Sequence, residues 1–598
     1  IDVFRRTVGP SHPYYLQAQA LRAQILARLG RTAAAFGESV AAARQWTEHI
    51  RLTAQSMAER QALTYGLSDQ LTAAELATAL ALDQPELGGA ARREVWDHWI
   101  RARALVLDEM TARQRLVGRD ADPELARLHW GLVDERRRLA RLVLSAGGEN
   151  TAERIAEAMR RKDRLERDLG DRSVTLRRDL RRGQIGFADV AAQLPPRSAL
   201  VAFVRFRRDV PAAPKRAWVA AFVLLSGEEE PVLLPVAEES ELEALVRDWR
   251  SRIAMAASDP LRAGKRAEAL MRATGERLRR KIWDPLALYL GRAERVFLVP
   301  EGALHLVNFA ALPTGTDRYL IESGPLLHTL SAERDLVPPE SLRRGSNLLA
   351  LANPAFSGPS PRRPPGAALR GATPACADLR QVRFGPLPAT AGEVREIARL
   401  WPDANPTVLS GAQASETEFR AQAPGKRIVH VATHGFFQGE QCGASRLVGE
   451  AAGQSPLVFS GLALAGANRR QTAKEDEEDG MLTAEEIAGL DLEGVEWVVL
   501  SGCDTGLGQI RSRDGVFGMR RAFQTAGAAT VIMSLWPVED RAARDWMRAL
   551  YANRLSRRLS TAEALREAGR SALQARRQSG RSTHPFFWAA FVGAGDWR

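Results

Sequence analysis

Two short runs hold residues able to act together as a nucleophile and its base. RIVHVATHGFF places His434 and Gly435 just past an apolar run, and VEWVVLSGCDTGLG places Cys503 just past another. A thiol attacks an acyl carbon as its thiolate, and a neighbouring imidazole takes the thiol proton and later returns it to the leaving amine. The tetrahedral intermediate needs donors for its oxyanion, and the backbone N–H groups of Gly435 and Cys503 lie beside the base and at the nucleophile. Gly435 lets the main chain approach a substrate without a Cβ, and Gly502, Gly506 and Gly508 permit the tight turn that would expose a sulfur. Residues 516–526 read as a helix whose N-terminal dipole would favour the thiolate. Singly, each residue has a plainer reading, a small buried thiol or a structural histidine. Their placement at two successive strand exits favours a catalytic pair.

The elements that must position this pair are strands alternating with helices. Residues 427–432, 497–500 and 530–535 are short continuous apolar runs, and residues 391–400 and 542–550 read as helices. Such alternation predicts a parallel sheet covered on both faces, with sites at the carboxyl edge of its strands. Upstream, residues 199–206, 218–225 and 231–234 read as strands, followed by helices near 240–253 and 262–282. RVFLVPEGALHLVNFAAL then reads as strand, turn, strand. Residues 343–388 are rich in Gly, Pro and Arg and are expected to be a linker or loop, with 348–352 as a short strand within it. From residue 13 to about 186 the spacing is helical throughout. Residues 12–46 form two amphipathic stretches around Gly30 that look like one tetratricopeptide repeat or, equally, part of a plain bundle. The organisation expected is a helical region over 1–186, an α/β region over 187–342, the linker over 343–388 and a catalytic α/β region over 389–598.

A chain of 598 residues exceeds one ordinary core, and its 45% hydrophobic and 26% charged composition is that of a folded protein. The formal charge of +12 resides in helices that interleave Arg with Asp and Glu, so no nucleic-acid contact is predicted. No run approaches the roughly 20 apolar residues that span a bilayer. The three cysteines, Cys376, Cys442 and Cys503, fit neither a disulfide framework nor a CxxC site, which points to a reducing cytoplasm. No carboxylate cluster has EF-hand or zinc-site spacing, and no cofactor is expected. Thr505-Gly506-Leu507-Gly508 is not a complete nucleotide-binding fingerprint.

Beyond the pair, VHVATHGFF, FSGLALAGAN, DGMLTAEEIAGLDL, VVLSGCDTGLG, RDGVFGMRRAFQTAGAATVIMSLWPVED and HPFFWAAFVGAGDW occur in order. Together they resemble the CHAT family, caspase-like domains often found with tetratricopeptide repeats, and PEGALHLVNFAALP extends the resemblance upstream. It implies a caspase-hemoglobinase-like α/β domain, mostly parallel sheet between helices, preceded by an all-α, tetratricopeptide-like region. It also implies a cysteine endopeptidase with His434 as base, Cys503 as nucleophile and Gly435 in the oxyanion hole. Ser501-Gly502-Cys503-Asp504-Thr505 stands where many relatives read SACET, a small or conservative change. The resemblance further implies a protein substrate, such as a pore-forming gasdermin, in a bacterial defence or cell-death pathway. The multi-domain arrangement suits regulated proteolysis, in which the N-terminal helices bind an activating partner or hold the active site closed. The alternative is a catalytically inactive caspase-like scaffold.

Within LWPVED, Asp540, with Glu539 beside it, corresponds by resemblance to a loop lining the specificity pocket, where a carboxylate would select a basic side chain. A first-turn helix acid is the equal alternative reading. His430, His305, His584 and Trp588 read as core or packing residues. The acidic run 475–479 reads as a mobile surface loop, or as a gate clipped near Arg470.

Overall fold

The computed structural model describes residues 1–9, 11–67, 72–117, 122–144, 150–176, 181–208, 216–258, 265–338, 344–357, 369–370, 381–402, 405–438, 456–473, 477–502, 508–511 and 515–598. Its centre is one eleven-stranded sheet. In chain order the strands are β1 (Ser198–Arg208), β2 (Arg216–Leu225), β3 (Val232–Glu238), β4 (Arg295–Val299), β5 (Leu326–Thr329), β6 (Ser346–Pro354), β7 (Thr407–Gly411), β8 (Lys426–Ala432), β9 (Trp497–Leu500), β10 (Thr530–Ser534) and β11 (Phe591–Gly595). Their order across the sheet is β7-β6-β8-β9-β10-β11-β5-β4-β1-β2-β3. From β7 to β10 every neighbour is parallel, as are β11-β5-β4-β1, while β10-β11 and β1-β2-β3 are antiparallel. The two α/β regions expected from the sequence thus share one sheet, joined where β11 meets β5 through Ala594 and Thr329.

Alternate residues of the buried strands feed two different cores, as the two-residue period of a strand requires. On β9, Trp497 and Val499 enter one core while Val498 and Leu500 enter the other. The first core lies under helices Glu239–Ser258, Pro388–Leu400, Asp540–Tyr551 and Thr561–Gln578. On its opposite face the amino-terminal half of the sheet is covered by the helical region itself. Trp96 stacks on Phe222 of β2 at 5.0 Å, and Phe36, Val40 and Trp99 lie in the same cluster.

Helices Pro13–Arg28 and Thr32–Ala54 pair around Gly30, whose φ of +71° suits a residue without Cβ. No strand occurs among the described residues of 13–186. The region also reaches the carboxyl-terminal half of the sheet. Gln114 donates through Nε2 to the carbonyls of Gly489 and Leu490, at 3.1 and 3.2 Å. Lys162 and Arg136 pair with Glu485 of helix Ala484–Ile487, at 2.7 and 3.2 Å.

Two local expectations are corrected and one is extended. The run expected to return as a strand after β4 forms 3-10 turns at Gly302–Leu306 and Phe309–Ala311. Both edges of β4 are taken by β1 and β5, which leaves no partner for it. The short strand expected at 348–352 is present as β6 and runs longer, Ser346–Pro354, seated between β7 and β8 with its Leu348–Ala352 core buried on both faces. The helix expected over 516–526 begins at Met519, since Gly515–Gly518 instead pairs with Gly508–Arg511 as a two-stranded ribbon.

Candidate active site

β8 and β9 are parallel neighbours in register, Val431 opposite Leu500, and the N–H of Ser501 donates to the Val431 carbonyl at 2.9 Å. His434 therefore leaves β8 three residues past this pair, at the same edge where Ser501 and Gly502 leave β9. Ser534 of β10 donates its hydroxyl to the Gly502 carbonyl and ties down this exit. Cys503 lies outside the described residues, as do Cys376 and Cys442.

After His434 the chain enters a small antiparallel sheet, Gly435–Phe437 against Ser460–Ala463 against Met481–Thr483. The Ala463 N–H donates to the His434 carbonyl at 2.9 Å, and the Thr433 hydroxyl donates to the Ala463 carbonyl at 2.5 Å. Gly461 is required at the centre of this sheet, since a Cβ there would stand 2.5 Å from the Leu482 carbonyl oxygen and 2.6 Å from the Phe436 ring. FSGLALAGAN and DGMLT are thus the strands that hold Gly435, which is buried and pairs with Leu462.

The His434 ring is buried, 7% exposed, between Phe356 and Phe384, with ring centroids at 5.4 and 5.7 Å. Its Nε2 lies 2.8 Å from the carbonyl oxygen of Gly385. A carbonyl only accepts, so Nε2 carries the proton and Nδ1 is the basic nitrogen of the neutral ring. Gly385 falls in the stretch the sequence assigned to a linker. A main-chain acceptor has no residue-type signal, so sequence reasoning could not find it. Leu144, the last residue of helix Pro123–Leu144, is buried in the same apolar cluster as Phe356, Phe384 and Phe436.

Asp540 opens helix Asp540–Tyr551 and is buried, and its Oδ2 accepts from the N–H of Ala389 at 2.9 Å. Ala389 stands four residues beyond Gly385, so Asp540 anchors the segment that touches His434. Glu539 precedes it, half-buried, in a two-residue pairing with Leu369–Arg370. Arg470 lies over the Phe384 ring at 5.9 Å and donates to the Val382 carbonyl at 2.6 Å. Residues 475 and 476 of the acidic run lie outside the described residues, but its end is tied down. Glu478 pairs with Arg420 at 3.1 Å, and Asp479 accepts from the N–H of Met481 at 2.8 Å.

The other histidines singled out in the sequence, His430, His305 and His584, are packing residues. His430 is fully buried on β8, with Nε2 2.9 Å from Glu393 and Nδ1 3.1 Å from the Tyr551 hydroxyl. His584 caps Phe586, and burial pushes its pKa down to about 4. Burial likewise holds His305 well below its ordinary value. Trp588 is 2% exposed and donates to the Thr583 carbonyl. Among the described residues no group of three or more His, Cys, Asp or Glu is arranged to hold a metal ion, and no helix is long and apolar enough to cross a membrane.

Fold and site define an α/β domain with a mostly parallel sheet, a helical region packed on it, and a histidine at the carboxyl edge. The family described as "CHAT domain" matches residues 272–596, more than half of the chain, and the chain belongs to that family. Tetratricopeptide repeat protein 28 of Mus musculus is 27% identical over 323 residues, which is 51% of this chain and 12% of that protein. Its Homo sapiens counterpart is 26% identical over 332 residues, again 51% and 12%. The chain thus spans about an eighth of the length of these curated relatives. Among solved structures, Saccharomyces cerevisiae separase in complex with securin aligns at a TM-score of 0.43 and 9% identity, covering 94% of this chain and 37% of that one. The Arg-specific cysteine proteinase gingipain R aligns at 0.30 and 8%, covering 60% and 74%.

Proposed function

We propose that the chain is a cysteine endopeptidase in which His434 deprotonates Cys503, with the N–H groups of Gly435 and Cys503 receiving the oxyanion. One observation carries this reading: parallel β8 and β9 deliver His434 and the residue before Cys503 to one sheet edge in matched register. The Gly385 carbonyl supports it, because it fixes the tautomer in which Nδ1 can accept a proton. Attack by the thiolate gives a thioester as the leaving amine takes that proton, and water then hydrolyses the thioester with His434 as base.

The substrate is a protein, and Asp540 selects an Arg side chain ahead of the scissile bond, with Glu539 adding charge. The helical region regulates the site, a role supported by Leu144 packing beside the two phenylalanines that flank His434. The compartment proposed is the cytoplasm. The test is cleavage of a fluorogenic peptide library by wild type, Cys503→Ala and His434→Ala. The reading expects cleavage after Arg by wild type and loss of at least about a hundredfold in either variant. Equal cleavage by all three, or none by any, would leave the inactive-scaffold alternative.

A further inference from the structure

His434 is oriented by a carbonyl on a loop, and a loop holds a carbonyl in place only if something grips its backbone. Between Phe384 and Asn468 that grip is visible. The N–H of Phe384 donates to Asn468 Oδ1 at 2.8 Å, and Asn468 Nδ2 donates back to the Phe384 carbonyl at 2.9 Å. The carboxamide thus pairs with the backbone just before Gly385 as a neighbouring strand would, using one acceptor and one donor. The same Nδ2 donates to the Ser357 hydroxyl at 2.7 Å, and the Asn468 N–H donates to the Phe356 carbonyl at 2.9 Å. Arg383 completes the set by donating to the Asn468 carbonyl at 3.0 Å. Asn468 therefore ties together the backbones of both phenylalanines that sandwich the His434 ring.

We infer that Asn468 is a positioning residue for the general base: through Phe384 it places the Gly385 carbonyl against His434 Nε2, and so holds Nδ1 as the basic atom. This rests on the His434–Cys503 reading above. Without the clamp, the Phe384–Gly385 backbone can turn its carbonyl to solvent, and the ring loses the acceptor that fixes both its tautomer and its angle. The thiol then meets a ring that is a base only part of the time. On this reading kcat falls while KM is unchanged. Asn468 closes FSGLALAGAN, eight residues after the start of Ser460–Ala463, so one short segment would supply both the support for Gly435 and the clamp for the base.

The experiment follows alkylation of Cys503 by iodoacetamide at neutral pH, read by peptide mass spectrometry in the full chain, for wild type, His434→Ala, Asn468→Ala and Asn468→Asp. Peptide cleavage and thermal unfolding run alongside. Asn468→Ala is expected to slow alkylation roughly tenfold and to lower kcat at unchanged KM, since positioned general-base catalysis is worth about a hundredfold or more. Asn468→Asp keeps the acceptor for the Phe384 N–H but not the donor to its carbonyl, so it should fall between wild type and Asn468→Ala while folding as wild type does. Wild-type alkylation and kcat in both Asn468 variants, with His434→Ala slow, would overturn the inference and leave the dyad standing. Wild-type alkylation in His434→Ala would overturn the dyad and the inference with it. A change in KM alone would assign Asn468 to substrate binding and overturn the positioning role.

Discussion

Glu59, in helix Glu59–Leu67, accepts from both Nε and Nη2 of Arg521, at 3.1 and 3.0 Å, across 462 residues of chain. Arg521 belongs to helix Met519–Thr525, which follows the ribbon Gly508–Arg511 and Gly515–Gly518, so the helical region grips the element that continues from that ribbon. Both side chains are buried, and the pair continues into a network. The Glu59 N–H donates to Glu166 at 2.9 Å, Glu166 pairs with Arg136 and Lys162, and those two cations pair with Glu485. Burial opposes the charge on Lys162, yet Glu166 and Glu485 outweigh it and hold its pKa above the ordinary lysine value.

Removing Arg521 leaves the Glu59 carboxylate buried without the guanidinium that binds it. Arg521→Leu should destabilise the docked state by about 3–5 kcal/mol, whereas the double variant Glu59→Leu with Arg521→Leu should cost far less, because no orphaned carboxylate remains. Hydrogen exchange of residues 59–67 and 519–525 reports it, with fast exchange in the single variant and recovered protection in the double. Equal exchange in both would mean the pair contributes nothing to docking.

Leu144 should matter to catalysis without touching substrate. Leu144→Ala opens a cavity beside Phe356 and Phe384, costing about 2–5 kcal/mol of local stability, and loosens the support of the Gly385 carbonyl. The expected result is a lower kcat at unchanged KM, measured on the same fluorogenic peptide. A kcat equal to that of wild type would detach the helical region from the base.

Asp540 can be tested by separating charge from hydrogen bonding. Asp540→Asn retains an acceptor for the Ala389 N–H but loses the carboxylate, so cleavage after Arg should fall at least about tenfold, the scale of a hydrogen bond to a charged group. Asp540→Ala also loses the bond to Ala389, at roughly 1 kcal/mol as for a lost cap, and its thermal midpoint should drop further. Unchanged Arg cleavage in Asp540→Asn would reduce Asp540 to the helix-end role alone.

Glu416, Glu478 and Glu486 share one guanidinium, Arg420, with Asp479 nearby. Burial, then the charges of Glu486 and Asp479, push the Glu416 pKa up to about 8 despite Arg420. Between its unfolded value of 4.5 and that raised value, the unfolded chain has released a proton the folded chain keeps. The stability this group contributes is therefore complete below its unfolded pKa and is lost as pH rises toward about 8. Thermal midpoints across that range should fall for wild type and change less for Glu416→Gln. Parallel curves for the two would refute the assignment.

Which residues stand at the strand exits was legible in the pattern of the chain. The apolar runs ending at Ala432 and Leu500 read as strands of a parallel sheet, and they pair as parallel neighbours, so His434 and Gly502 leave the sheet at one edge. The helical character of the first third was equally legible, because its 3.6-residue spacing is a local property of the chain. What orients His434 and what grips Arg521 emerges from long-range packing alone. The acceptor on His434 is the carbonyl of Gly385, a group every residue carries, selected by where a loop is clamped. Likewise, which of the many Glu side chains meets Arg521 follows from how a helix packs on the sheet. No spacing encodes either choice, since the partners are a backbone carbonyl 49 residues away and a carboxylate 462 residues away.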